Sequence, residues 1–150
     1  MGKIKKAIIL AAGLGTRLKS VGYEIPKCLL RFGGETILEK LLKELDSIGI
    51  QKVVLITGHK EYKIKQTIGN EFGKIKIQYV FNKIYDKTNN IYSLWLVRDQ
   101  LNEDLLLFES DLLIRPGIIK NFVDIESEDV MMLEKFRQGL DGTVVSLNDN

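Results

Sequence analysis

A single cysteine, Cys28, leaves this 150-residue chain without an internal disulfide framework and suits a reducing cytoplasm. Flanked by Pro26-Lys27 and Leu29-Leu30, with no histidine near it in sequence, Cys28 reads as a small apolar filler rather than a nucleophile. No stretch approaches the roughly 18 apolar residues that a membrane span needs. Lys3, Lys5 and Lys6 precede the apolar run Ala7–Ala12, but that run is too short for the core of a signal peptide and ends in glycines, so export is not expected. An excess of either charge is missing too: 22 Lys and Arg against 20 Asp and Glu leave a formal +2. The basic residues are scattered, as in Lys60, Lys63 and Lys65, and form no stripe, so neither nucleic acid nor a membrane is expected as a partner. Internal repeats, low-complexity tracts and linkers are absent.

What is present suits one domain with a sizeable core, since 45% of the residues are apolar. Short apolar runs alternate with helical patterns. Ala7–Leu10 and Val53–Ile56 read as buried strands ending at Gly13 and Gly58. Ile37, Leu38, Leu41, Leu42, Leu45 and Ile48 recur at helical spacing, with Gly49 as the stop. A second helix is expected around residues 61–70, and Ile75–Val80 alternates like a half-exposed strand. Asn89 or Asn90 can cap a helix carrying Ile91, Leu94, Trp95 and Leu101. Trp95 shares a stripe with Ile91 and Leu94 and is expected in the core, while Tyr92 has no assigned surroundings. Leu105–Phe108 is a further strand, Pro116 suits the first position of a short helix, and Val130–Leu133 and Thr143–Leu147 read as two more strands, the last at an edge. The order predicts an α/β fold: three layers, a mostly parallel sheet with helices on both faces, Rossmann-like.

In such sheets ligands sit beyond the carboxyl ends of the strands. The loop after the first strand reads Leu10-Ala11-Ala12-Gly13-Leu14-Gly15-Thr16-Arg17-Leu18. Its small residues let backbone approach a ligand, its free N–H groups can cradle phosphate oxygens, and Arg17 can pair with phosphate through two parallel bonds. The bland alternative is a tight turn with a surface arginine. A dinucleotide fingerprint is excluded because its third glycine position holds Leu18, and a P-loop is excluded because its glycine spacing and Gly-Lys-Ser/Thr ending are absent. Pro26, which fixes the local backbone, can aim Lys27 back toward this loop as a second cation.

Leu10–Leu18, followed by Pro26-Lys27-Cys28-Leu29-Leu30, resembles the signature of the nucleotidyltransferase superfamily that makes sugar nucleotides and CDP-alcohols. The resemblance implies that Leu10, Ala11, Ala12, Gly13, Gly15 and Thr16 contact the nucleotide, and that Arg17 and Lys27 bind phosphates on either side of the reacting centre. Lys87-Thr88-Asn89-Asn90-Ile91-Tyr92-Ser93-Leu94-Trp95 and Leu107-Phe108-Glu109-Ser110-Asp111-Leu112 resemble segments of the phosphocholine and aminoalkylphosphonate cytidylyltransferases. Leu140–Val145 is similar to a segment of the phosphonate type. Residues 1–150 are then the nucleotide-binding domain, without the C-terminal part of the family domain and the second acidic metal motif found there.

Physical readings stand beside these. Asn89, Asn90 and Ser93 either cap a helix or offer paired donors and acceptors to a pyrimidine edge, and Asn82, just after a strand, is a similar candidate. Gly58 and His59 lie at a strand end, where His59 reads as lining the nucleotide pocket rather than as a base. Glu109 and Asp111, two apart at a strand end, point to one side. Either they form a solvated turn, or Asp111 is the ligand of Mg²⁺ with Glu109 beside it at the nucleotide. The expected function is transfer of CMP from CTP to a small phosphate- or phosphonate-bearing alcohol or amine, with release of pyrophosphate, in the cytoplasm, with a homo-oligomer left open. A sugar-1-phosphate nucleotidyltransferase and a non-catalytic nucleotide-binding fragment remain as alternatives.

Overall fold

Lys6–Ala11 is buried along its whole length and forms β1, an inner strand of the sheet. The computed structural model describes residues 4–15, 24–127, 129–135, 137, 145 and 146. Chain order from β1 is β2 (Arg31–Phe32), β3 (Glu35–Thr36), α1 (Ile37–Ser47), β4 (Lys52–Thr57), α2 (Glu61–Ile68), β5 (Glu71–Phe72), β6 (Ile75–Phe81), α3 (Asn90–Trp95), β7 (Leu105–Glu109) and α4 (Ile118–Val123). β5-β6-β4-β1-β7 make one sheet, in which β6, β4, β1 and β7 run parallel and only the edge strand β5 is antiparallel. β2 and β3 form a separate hairpin across Gly33-Gly34, both with positive φ.

Strictly buried parallel strands expose both faces to packing, and the core is accordingly split in two. Ala7, Ile9 and Ala11 face a cluster built with Leu38, Leu42 and Leu45 of α1, Ile64 of α2 and Ile119 of α4. Ile8 and Leu10 face the opposite cluster, with Val54, Ile56, Val97 and, from α3, Leu94. Helices therefore cover both faces, as the alternation of elements predicts. α1 starts with a capping box, in which Thr36 accepts from the Glu39 N–H and Glu39 accepts from the Thr36 N–H. Among the described residues no helix is long and apolar enough to cross a membrane.

Four local expectations change, and a fifth, Thr143–Leu147, falls mostly outside the described residues. Val130–Leu133 carries no strand and lies open, Met131 being 70% exposed. Four apolar residues carry no information about a partner strand, and without one there is no ladder to satisfy their backbone. Of Thr143–Leu147, only Val145 and Ser146 are described, without regular structure; the rest lies outside the described residues. Pro116 precedes the helix instead of opening it: Gly117, at φ 82°, is the cap of α4 and donates its N–H to Glu44. The helix after Asn89 ends at Trp95 and is followed by a separate 3₁₀ turn at Arg98–Gln100.

Trp95 is the fourth correction. It is 58% exposed and Ile91 74%, with the Arg98 guanidinium 4.5 Å above the Trp95 ring. A buried polar contact sets the rotation of α3. Ser93 is turned inward, where its Oγ accepts from Asn82 Nδ2 at 3.2 Å, and this carries the 91/95 stripe outward while Val97 fills the core.

Candidate functional site

Strand order places the site. From β1 the chain moves to β4 and β6 on one side, then returns to β7 on the other, so the order reverses between β1 and β7. Loops leaving neighbouring strands in opposite directions open a crevice at that point. A cleft of ≈ 450 Å³ lies there, lined by Leu10–Ala11 and Gly13–Gly15 from β1 and its loop, Glu109–Asp111 from β7, Pro26–Cys28, and Asn90. A larger groove of ≈ 770 Å³ sits at the opposite, amino-terminal end of the strands, and none of the predicted site residues lines it.

The floor is backbone. The β1–β7 ladder continues past the end of β7, with the Ser110 N–H bonded to the Leu10 carbonyl at 3.1 Å. Gly15 has φ 67°, the left-handed region that favours glycine. Gly13 is different: a Cβ there would meet nothing within 4 Å, so packing does not demand a glycine. Behind the loop the fit is tight. A Cβ on Gly58 would lie 2.6 Å from Tyr85 Cβ and 2.7 Å from the Ala12 carbonyl oxygen. His59 follows at the end of β4, its ring centroid 6.1 Å from that of Tyr85, away from the cleft lining.

Lys27 comes from a single 3₁₀ turn anchored by two buried neighbours, Cys28 and Leu29. The Leu29 and Leu30 N–H groups close the turn on the Pro26 and Lys27 carbonyls. The thiol of Cys28 is pushed up to about 12, mainly by burial, and stays protonated. Lys27 Nζ reaches across to Asp111 Oδ2 at 3.5 Å. Glu109, the last residue of β7, accepts from Asn90 Nδ2 at 2.7 Å. Burial first, and then the charge of Asp111, holds its carboxyl above the usual range, while the Asn90 bond works against both.

Of the residues singled out from the sequence, the fold brings Leu10, Ala11, Gly13, Gly15, Lys27, Asn90, Glu109 and Asp111 to one cleft. Thr16 and Arg17 lie outside the described residues. Asn82 and Ser93 do not line the cleft. Asn82 is 1% exposed, and its amide is consumed internally: Nδ2 donates to Thr88 and Ser93, and Oδ1 accepts from the Ile84 N–H. Both amide hydrogens are thus engaged within the fold, on a side chain closed off from solvent. Asn89 caps α3 by accepting from the Tyr92 N–H, the capping alternative. Sequence reading missed Ser110, whose buried position in the cleft wall carries no motif of its own.

Glu109 and Asp111 offer hard oxygen donors on one wall, opposite a cation. That set fits a Mg²⁺ ion completed by phosphate oxygens and water, since Mg²⁺ is commonly held by one or two carboxylates. The described residues hold no group of three or more metal-ligating side chains.

Comparison with known proteins bears on the family and the fold. Residues 7–139 match the family model of the MobA-like NTP transferase domain. CMP-5'-(3-aminopropyl)phosphonate synthase of Streptomyces rubellomurinus is 34% identical over 140 residues, 93% of this chain and 22% of that protein. The solved CTP:phosphocholine cytidylyltransferase of Streptococcus pneumoniae superposes with a TM-score of 0.64 at 33% identity, over 74% of this chain and 47% of the other. UTP–glucose-1-phosphate uridylyltransferase of Haloferax volcanii is 30% identical over 106 residues, 71% of this chain and 43% of that protein. The chain thus spans between about a fifth and about half of the length of these relatives.

Proposed function

Since the chain belongs to the MobA-like NTP transferase family, we propose that it is the nucleotide-binding domain of a cytidylyltransferase that joins CMP to a small phosphate- or phosphonate-bearing alcohol or amine. The observation that carries this reading is the cleft at the strand-order reversal, where Gly13, Gly15, Lys27, Glu109 and Asp111 converge. Similarity to relatives named for phosphocholine and aminopropylphosphonate supports the choice of acceptor and of CTP.

In the proposed reaction an acceptor oxygen attacks the α-phosphorus of CTP. The new O–P bond forms as the bond to the β-phosphate bridge breaks, and pyrophosphate leaves. Acceleration comes from positioning and charge neutralisation. The backbone of residues 13–15 cradles phosphate oxygens. Lys27 faces them and stabilises charge that grows on the leaving pyrophosphate, with Arg17 and Thr16 assigned to the same task from the motif alone. A phosphate or phosphonate acceptor is already ionised at neutral pH, so no base is needed and none is assigned. Glu109 and Asp111 would hold Mg²⁺, which when bound supplies Lewis-acid neutralisation of the phosphates. The site then works in the cytoplasm, where CTP and Mg²⁺ are at hand.

The test is pyrophosphate release with CTP and Mg²⁺ across phosphocholine, 2-aminoethylphosphonate and sugar-1-phosphates. Release with one of the first two supports the reading. The uridylyltransferase relative favours a second reading, a sugar-1-phosphate nucleotidyltransferase, which turnover with UTP or dTTP in place of CTP would establish. CTP binding by calorimetry without release for any acceptor would leave a nucleotide-binding module.

A further inference from the structure

The two groups with opposite tasks in the proposed reaction hold each other. Lys27 Nζ, assigned to phosphate, lies 3.5 Å from Asp111 Oδ2, assigned to the metal, with side chains 24% and 43% exposed. The contact spans 84 positions of sequence, from the 3₁₀ turn after Pro26 to the end of β7. Cys28 and Leu29, buried beneath the turn, fix the backbone that carries Lys27, so the mobile part is its side chain. Glu109, the other carboxylate of the cleft, is engaged by Asn90 instead. Among the described residues Asp111 is therefore the partner of Lys27.

We infer that the Lys27–Asp111 ion pair is a latch that couples metal binding to nucleotide binding. This rests on the reading of the cleft given above. An ammonium paired with a carboxylate offers less positive charge to a phosphate, and the carboxylate offers less negative charge to a cation. Metal-free triphosphate must take Lys27 from Asp111, and metal alone must take Asp111 from Lys27. When both arrive together, each is handed the group the other has released. The coupling is reciprocal by thermodynamic necessity, and it adds to any direct bridge between metal and phosphates.

The consequence is a change of sign that a plain metal-ligand role lacks: removing the carboxylate should improve binding of the nucleotide when no metal is present. Calorimetric titration of the full chain with CTP in a chelator reads it. Asp111→Asn should bind metal-free CTP about two- to five-fold more tightly than the unaltered protein, the range of a partly exposed pair. Lys27→Met should bind it more weakly. The deciding comparison is Asp111→Asn in the Lys27→Met background, where the gain should vanish. Without nucleotide, Lys27→Met should bind Mn²⁺ more tightly than the unaltered protein. A gain that persists without Lys27, or that Glu109→Gln reproduces in full, is general charge repulsion and overturns the latch. No gain overturns it as well. Failure of the unaltered protein to bind CTP even with Mg²⁺ would instead overturn the reading of the cleft beneath it.

Discussion

Asn90 Nδ2 donates to Glu109 Oε1 at 2.7 Å, tying the first residue of α3 to the last of β7. Asn89, one position earlier, already caps the helix, so the Asn90 amide is available for the carboxylate. If Glu109 holds the metal as proposed, an amide spent in this way would orient a ligating oxygen rather than read a pyrimidine edge. Partners that orient ligating groups cost about 10- to 100-fold in metal affinity when removed. Asn90→Ala should therefore raise the Mg²⁺ concentration needed for half-maximal pyrophosphate release by about 10-fold, with the thermal midpoint nearly unchanged. An unaltered Mg²⁺ dependence with lost CTP affinity would return Asn90 to a base contact.

Two glycines near the same loop separate fold from ligand. A methyl on Gly13 meets open space, whereas one on Gly58 meets Tyr85 Cβ and the Ala12 carbonyl below 3 Å. Gly13→Ala should leave stability within about 0.5 kcal/mol but weaken CTP binding, because the space it fills is the cleft. Gly58→Ala should cost about 1–3 kcal/mol or more from overpacking. Truncating Tyr85 to alanine should not rescue it, since the nearest atom is a Cβ that alanine keeps. Urea unfolding and calorimetry of both variants check the contrast.

Much of this was legible beforehand, and what was not has a common cause. The apolar runs Ala7–Leu10 and Val53–Ile56 announce buried strands because parallel strands with both faces covered need no alternation, whereas Leu105–Phe108, equally apolar, forms the edge strand β7 with Leu107 49% exposed. The glycine loop and Pro26-Lys27 are local chemistry; strand order brings the loop beside the end of β7, and the 3₁₀ turn seated on Cys28 and Leu29 brings Lys27 to the same cleft. The face that α3 turns inward was not legible. It depends on Asn82 and Ser93, 11 positions apart, satisfying each other inside the fold, and hydropathy alone puts Trp95 in the core. The pairing of Asn90 with Glu109 likewise joins elements 19 positions apart. The β2–β3 hairpin at Gly33-Gly34 and the α1 cap at Thr36-x-x-Glu39 rest on local signals that the sequence reading passed over.

Lys27 reaches into the cleft from a hydrogen-bonded turn seated on buried Cys28 and Leu29, so its removal should affect chemistry more than folding. Lys27→Ala should lower turnover by about 10²-fold, the scale for loss of one preorganised charge at a transition state. Steady-state kinetics beside a melting curve separate the effects. A normal rate would count heavily against the proposed role.

Asn82 anchors the segment that delivers Asn90. Asn82→Ala would leave the Ser93 hydroxyl without its donor in a site where both side chains are 1% exposed, and the partly buried Ile84 N–H without its acceptor. Unsatisfied buried groups of this kind cost about 1–3 kcal/mol, or a fall in melting temperature of roughly 2–10 °C for a domain of this size. Asn82→Asp should be no milder, because it keeps the acceptor for Ile84 but buries a charge. An unchanged melting temperature together with lost CTP binding would mean that Asn82 touches the nucleotide after all.

Cys28 gives a pH dependence whose sign can be worked out. Burial pushes its thiol up to about 12 from an ordinary value of 9.0, with the charge of Asp111 adding to the rise and a backbone hydrogen bond opposing it. The folded state thus holds the proton more tightly than the unfolded chain. Below about pH 8.5 both states are protonated and Cys28 contributes no slope. Above that value the unfolded chain loses its proton first, so stability falls as pH rises toward the folded value. Replacing Cys28 with alanine removes this term, and urea midpoints measured between pH 8 and 10.5 should fall less steeply in the variant than in the unaltered protein. The same burial should make the native thiol slow toward alkylating reagents at pH 8, reacting at the rate of unfolding. Rapid alkylation of the folded protein would show that the turn beneath Lys27 opens, and that Lys27 is not held on a rigid base.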